Sequence, residues 1–290
     1  MDLIYYKERI KKVEKEFKSF KKRYLKIASI IISALFAAFI VSLIIIIINE
    51  SEYFYIPLAI GLGSILITAL IIYAIYESRI NDFYLGSVNT LVSEIVSNET
   101  DFDINSEETR KEIIGKLIDN RMISKGDEIS IRGGFEFCND ELNGNLYSVR
   151  ITRSTGESSV TIFDGIIVEI NKPTPWNFEM MDSVYHSFAF RVDKEISEKK
   201  IKVLMPKDGD YKYSNYAIKL YDEIKEIFGV SHLWLDFSKD MITIGLNIGT
   251  KSMTIKNFNE KAIINEVERY TNILKNNKKI SDLIDNSNEF

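Results

Sequence analysis

IASIIISALFAAFIVSLIIIIIN (Ile27 to Asn49) and YFYIPLAIGLGSILITALIIYAIY (Tyr53 to Tyr76) contain no Asp, Glu, Lys or Arg. A helix rises about 1.5 Å per residue and a bilayer's hydrocarbon core is roughly 30 Å thick, so either run is long enough to span. Only Asn49 to Glu52 separate them, which predicts an antiparallel transmembrane hairpin over 27–76, with spans at 27–48 and 53–76. Pro57 falls in the first turn of the second helix, where a missing N–H costs little. Tyr53, Phe54 and Tyr55 at one end, and Tyr24, Tyr73 and Tyr76 at the other, suit the two membrane interfaces. Ser33, Ala34, Ala37, Ala38, Ala59 and Gly63 are small residues that predict close helix packing.

Outward from the spans, the charge is uneven. Residues 1–26 hold ten basic and four acidic groups, net +6, whereas 27–76 hold only Glu50 and Glu52. The positive-inside rule then places the N-terminus and everything after the second span in the cytoplasm, as a two-span protein of the cell inner membrane. A cleaved signal peptide fits poorly, because the basic region is long and a second span follows at once. Leu3, Tyr6, Ile10, Val13, Phe17, Phe20, Tyr24 and Ile27 recur at helical spacing, so 1–26 reads as a basic amphipathic helix. It could pack on the chain itself, pair with another helix, continue upright from the span, or lie on anionic lipid.

The overall charge of -5 leaves -9 for residues 77–290. An acidic body argues against a surface that tracks nucleic-acid phosphates. One cysteine, Cys138, excludes an intrachain disulfide, and with two histidines it cannot supply a four-ligand zinc site.

Beyond the membrane, helical spacing continues from Ile80 to Val96 in a connecting helix and acidic linker (77–104). Asn105 and Glu108 resemble a capping pair opening a helix on Ile113, Ile114, Leu117 and Ile118. After Lys125 the period changes to 2, across a Gly133-Gly134 pair that suggests a bulge. Strands read at 129–137, 146–153, 158–170, 186–192 and 200–205, then a helix at 216–228. A hairpin follows over His232 to Phe237 and Met241 to Ile248. The expected fold is a soluble α+β domain with mainly antiparallel strands over 105–256, followed by a C-terminal helix and tail (257–290), helical over 259–275 and frayed after Asp285.

The order of these elements, with KGDEISIRGGFEFCNDEL (Lys125 to Leu142), TIFDGIIVEI (Thr161 to Ile170) and HLWLDFSKDMITIGL (His232 to Leu246), resembles an uncharacterised bacterial membrane-protein family, domain of unknown function 3137. The similarity covers most of the chain and departs at 171–190. Its most specific pieces are Gly133, Gly134 and Phe135 followed by Glu141, and Phe163-Asp164-Gly165. The resemblance implies a bacterial two-span protein with a cytosolic α+β domain, and brings no catalytic residues.

No phosphate-binding loop, nucleophile elbow or zinc-protease motif occurs. Asp101, Asp103, Asn105, Glu107, Thr109 and Glu112 have calcium-loop spacing, but Ser106 replaces the turn glycine and Glu108 a usual apolar residue, so an acidic linker is the simpler reading. Cys138 with His186 or His232 could form a thiol pair, yet a small packing role for Cys138 outweighs it. His232, Trp234 and Asp236 share one strand face, with Thr243 and Asn247 across from them, as a partner surface or a face packed by a helix. Neither span carries an ionisable group other than tyrosine, which weakens a transporter reading, and nothing further supports a pore lined by Ser29, Ser33 and Ser42.

No catalytic, cofactor-binding or metal-ligating set is therefore assigned. The expected function is a membrane-tethered cytosolic domain for protein binding, scaffolding or regulation, with a protein partner or self-association. The alternatives are a membrane-bound hydrolase, to be tested at Asp164 and Asp236, and an accessory subunit of a transport assembly.

Overall fold

Apolar residues on every side of a helix leave it no watery face, and residues 27–48 of the first N-terminal helix and 55–76 of the second have this character. In the computed structural model, α1 runs unbroken over Leu3–Ile48 and α2 over Tyr55–Phe83. The structure describes residues 3–48, 55–105, 114–115, 127–154, 156, 158–174, 177–182, 194–198, 201–205, 214–238, 240–249 and 258–287. Each of the two helices carries an apolar stretch long enough to cross a membrane, no residue of which is buried. The link at 49–52 and the Tyr53–Phe54 pair lie outside the described residues.

The hairpin seam differs from the expected one. Ala34, Ala37, Ala38 and Ala59 are exposed, and a Cβ on Gly63 would meet nothing. Instead Gly61 lies beneath the Phe39 ring, where any side chain would collide with it. A large residue in a glycine notch replaces the small-on-small contact predicted from composition. Tyr24 turns inward too: its ring lies 5.0 Å from that of Tyr76, and its hydroxyl donates to the Ile72 carbonyl at 3.0 Å. Phe17 and Phe20 pack on Phe83, with ring centroids 5.7 and 5.9 Å apart. Ser42 bonds back to the Ala38 carbonyl within its own helix.

The chain divides into two compact units, 2–87 and 88–290. A π-helical turn, Tyr84–Asn89, precedes α3, Thr90–Glu99. The second unit is built on a nine-stranded sheet in the order β1-β2-β3-β4-β9-β8-β5-β7-β6, and every pair is antiparallel. The strands are β1 Asp103–Asn105, β2 Asp127–Cys138, β3 Asn143–Ser154, β4 Ser159–Ile170, β5 Phe178–Asp182, β6 Lys194–Glu198, β7 Ile201–Met205, β8 His232–Phe237 and β9 Ile242–Asn247. Helices α4, Ser214–Phe228, and α5, Glu260–Ser287, complete it.

Strands β1, β5 and β6 have no counterpart in the sequence reading, and the expected strand at 186–192 lies outside the described residues. Asn105 of the expected capping pair ends β1 as a strand residue; Glu108 and the 113–118 helix fall outside too, apart from Ile114 and Gly115, which are helical. Helix α5 is longer than expected, because Ile280 and Ile284 continue the buried stripe of Ile263, Val267, Tyr270 and Leu274.

Helices α3, α4 and α5 lie on one face of the sheet. Phe135 meets Tyr270 of α5 edge-on at 5.4 Å, and Lys225 of α4 pairs with Asp182 at 3.3 Å. The Tyr221 hydroxyl donates to the Leu233 carbonyl at 2.8 Å. On α3's side, Asn89 clasps Gly134: its Nδ2 donates to the Gly134 carbonyl at 2.6 Å, and its Oδ1 accepts from the Gly134 N–H at 3.1 Å. Gly133 is required beside it, since a Cβ there would press on Asn89 Oδ1. Gly133, Gly134 and Phe135 are thus attachments of helices to sheet, and Glu141 joins them through a 2.6 Å bridge to Lys278 of α5. Asn89→Ala strips both buried main-chain groups of Gly134 of their partner and should cost about 2–3 kcal/mol. Thermal denaturation of the full chain in neutral detergent checks this, and a loss no larger than that of an exposed substitution such as Asn98→Ala would contradict it.

Candidate functional site

Strand register brings together residues that the sequence holds far apart. On the face opposite the helices, one transverse row reads Glu136, Asn145, Glu169, Thr243, Asp236 and Glu179 across β2, β3, β4, β9, β8 and β5. The next row reads Gly134, Tyr147, Ile167, Gly245, Trp234 and Met181. Neighbouring strands are about 4.8 Å apart, so Asp236 is beside Glu179, and Glu169 lies about 10 Å away with Thr243 between.

Four carboxylates stand in this row, and the more deeply placed three, Glu169, Asp236 and Glu179, are costly unless each is satisfied. Glu169 is 1% exposed and its Oε2 accepts from Asn145 Nδ2 at 3.0 Å. Glu179, 4% exposed, accepts from the Trp234 indole Nε1 at 2.6 Å. The indole lies over Gly245, where a Cβ would press on Trp234 and on Phe163. Asp236 is half-buried, and desolvation pushes its carboxyl up to about 6. A carboxyl in that range exchanges its proton near neutral pH, as a general acid or base must.

His232, Trp234 and Asp236 do share a face, with Asn247 and Thr243 opposite the first and last. Trp234 and Thr243 are buried, however, so this is not an open partner surface, and helices α3, α4 and α5 pack on the other side. His232 swings to the strand end, its Nδ1 3.2 Å from the Asp182 carboxylate. Glu169 and Glu179 escaped the sequence reading. The available signal for Glu169 was a charge inside the apolar run FDGIIVEI, which is buried throughout because both sheet faces are covered at β4.

Asp164 belongs elsewhere. It lies on the helix side, where Arg132 Nη1 donates to its Oδ1 at 2.6 Å and Arg150 Nε is 3.5 Å from its Oδ2. Arg132 is the extra residue of the β2 bulge, between Ile131 and Gly133. Asp164 and Asp236 therefore occupy opposite faces and cannot serve one site.

Cys138 is exposed rather than packed, with its thiol 3.7 Å from the Asn139 carbonyl. It ends β2 one row beyond that of Ile170, Ile242 and Phe237, whereas His232 is in the row of Gly165 and Asn247, six residues or about 20 Å along the strands. The pair does not form, and His186 lies outside the described residues. Within the calcium spacing, Asp103 and Asn105 are drawn straight in β1 against Cys138 and Glu136, which a curled cation loop would not permit. Glu107, Thr109 and Glu112 lie outside the described residues.

No family model, no curated protein and no solved structure matches this chain.

Proposed function

We propose that the chain is an integral protein of a bacterial inner membrane, similar to domain of unknown function 3137, whose α1–α2 hairpin anchors a cytosolic α+β domain used for protein binding, scaffolding or regulation. The observation that carries the anchoring is the exposure of both apolar stretches. Side chains such as Ile48, at 72%, stand bare over many turns, more apolar surface than a water-soluble protein leaves uncovered. Orientation rests on ten basic residues before the first span and none in the link.

The full chain should resist carbonate extraction from membranes. A fluorescent reporter fused after Phe290 should glow in the cytoplasm, and a phosphatase fused there should stay inactive; an active phosphatase would reverse the orientation. A second reading, a membrane-bound hydrolase, is favoured by one observation only. Asp236, with its carboxyl near 6, stands in a row with Glu169 and Glu179.

A further inference from the structure

We propose that Lys21, Lys22, Arg23 and Lys26 of α1, joined by Arg79 of α2, form a collar that binds the headgroup phosphates of anionic phospholipid, and that the basic residues farther out do not. The proposal rests on the membrane-anchored reading.

Because α1 is one helix from Leu3 to Ile48, the leader continues the line of the span instead of folding onto the bilayer. Height above the apolar run therefore follows from sequence position. Lys26 adjoins it, Lys21 stands about 8 Å out, Lys15 about 17 Å and Lys7 about 29 Å. Physiological salt screens exposed charges over about 8 Å, so only the inner group feels the headgroups strongly. Three aromatic contacts keep the helix upright at that level: Tyr24 on Tyr76, and Phe17 and Phe20 on Phe83. Bending α1 down at Lys26 would break all three.

The contacts Phe39 with Gly61 and Tyr24 with Tyr76 fix the hairpin's register, and by it Arg79 stands level with Lys21. Lys21, Lys22, Arg23, Lys26 and Arg79 are all exposed. None of them makes an ion pair among the described residues, whereas Lys18 is taken by Glu14. Glu77 and Asp82 are the acids at this level on α2, leaving a net +3 from five cations. At 100° per residue the four α1 cations spread over about 200° of the helix, away from the side where Phe17, Phe20 and Tyr24 meet α2. Cations fanned outward cannot converge on one small free anion. They suit several headgroups arranged around a helix.

The test uses the purified full chain in nanodiscs of phosphatidylcholine with and without phosphatidylglycerol, with the lipids retained on release counted by native mass spectrometry. Wild type and an outer variant, K7Q/K11Q/K12Q/K15Q, should retain phosphatidylglycerol in preference to phosphatidylcholine. The collar variant, K21Q/K22Q/R23Q/K26Q, should lose at least about tenfold of that preference, since each basic residue near an anionic surface contributes several-fold. Preference kept by the collar variant, or lost equally by the outer one, would overturn the proposal. Displacement of phosphatidylglycerol by inorganic phosphate would overturn the assignment to lipid. A wild-type chain that stays in solution and never enters nanodiscs would defeat the anchored reading itself, an outcome separate from any lipid preference.

Discussion

Asp236→Asn is expected to stabilise the protein by about 3 kcal/mol at pH 8 and by only about 0.5 kcal/mol at pH 4. Burial raises the Asp236 carboxyl from 3.8 to about 6, so the folded chain holds this proton more tightly than the unfolded chain does. Below about pH 3 both states carry it and the group is neutral in the comparison. Between pH 4 and 6 the unfolded chain ionises first, and wild-type stability falls as pH rises. Above pH 6 the folded state carries a desolvated carboxylate and the loss is complete. Asn has the shape of the protonated acid and never ionises, so it removes the slope. Thermal melts of both chains in neutral detergent at pH 4, 6 and 8 check it, and a gap that did not grow with pH would contradict the desolvated carboxyl.

The same variant separates the two functional readings. A carboxyl kept at a stability cost between Thr243 and Glu179 is the pattern of a site that needs its proton. If the hydrolase reading holds, Asp236→Asn removes turnover while raising the melting temperature at pH 8. If the domain only binds or scaffolds, the variant is stabilised with its interactions intact.

Periodicity made the two long apolar helices α1 and α2, the long strands β2 to β4, the β8–β9 hairpin and helix α4 legible, since each carries its own apolar pattern. It said nothing of which strand lies beside which. That Glu169 shares a row with Asp236 and Glu179 depends on β4 pairing with β9 and β5 with β8, pairings between segments far apart in the chain. Strand β5 was hidden because Phe178 to Asp182 is buried on both faces and so does not alternate. The glycines were legible as breaks but not as contacts. Gly133 admits Asn89, Gly61 admits Phe39 and Gly245 admits Trp234, three close approaches that no local pattern encodes.

Asp164→Asn should cost about 3 kcal/mol, several times the cost of Arg150→Gln. Arg132 and Asp164 are both nearly buried, with side chains 10% and 8% exposed, and their bond is short and charge-assisted. Removing the carboxylate leaves the guanidinium in low-dielectric surroundings without its closest counter-charge. Arg150 is 44% exposed and farther from Asp164, so water replaces what it loses. Arg132→Met with Asp164→Leu should recover most of the loss, because replacing both partners of a buried pair by apolar groups removes the desolvation cost as well as the attraction. A double-mutant cycle by chemical denaturation measures the coupling, and an Asp164→Asn cost no greater than that of Arg150→Gln would refute it. The bulge gives a further consequence. Arg132 is its extra residue, so the Asp164 bond holds β2 in the register that presents Gly134 to Asn89. Asp164→Asn and Asn89→Ala should therefore be non-additive, the pair costing less than the sum of the two, because either change alone already loosens the strand that the other needs.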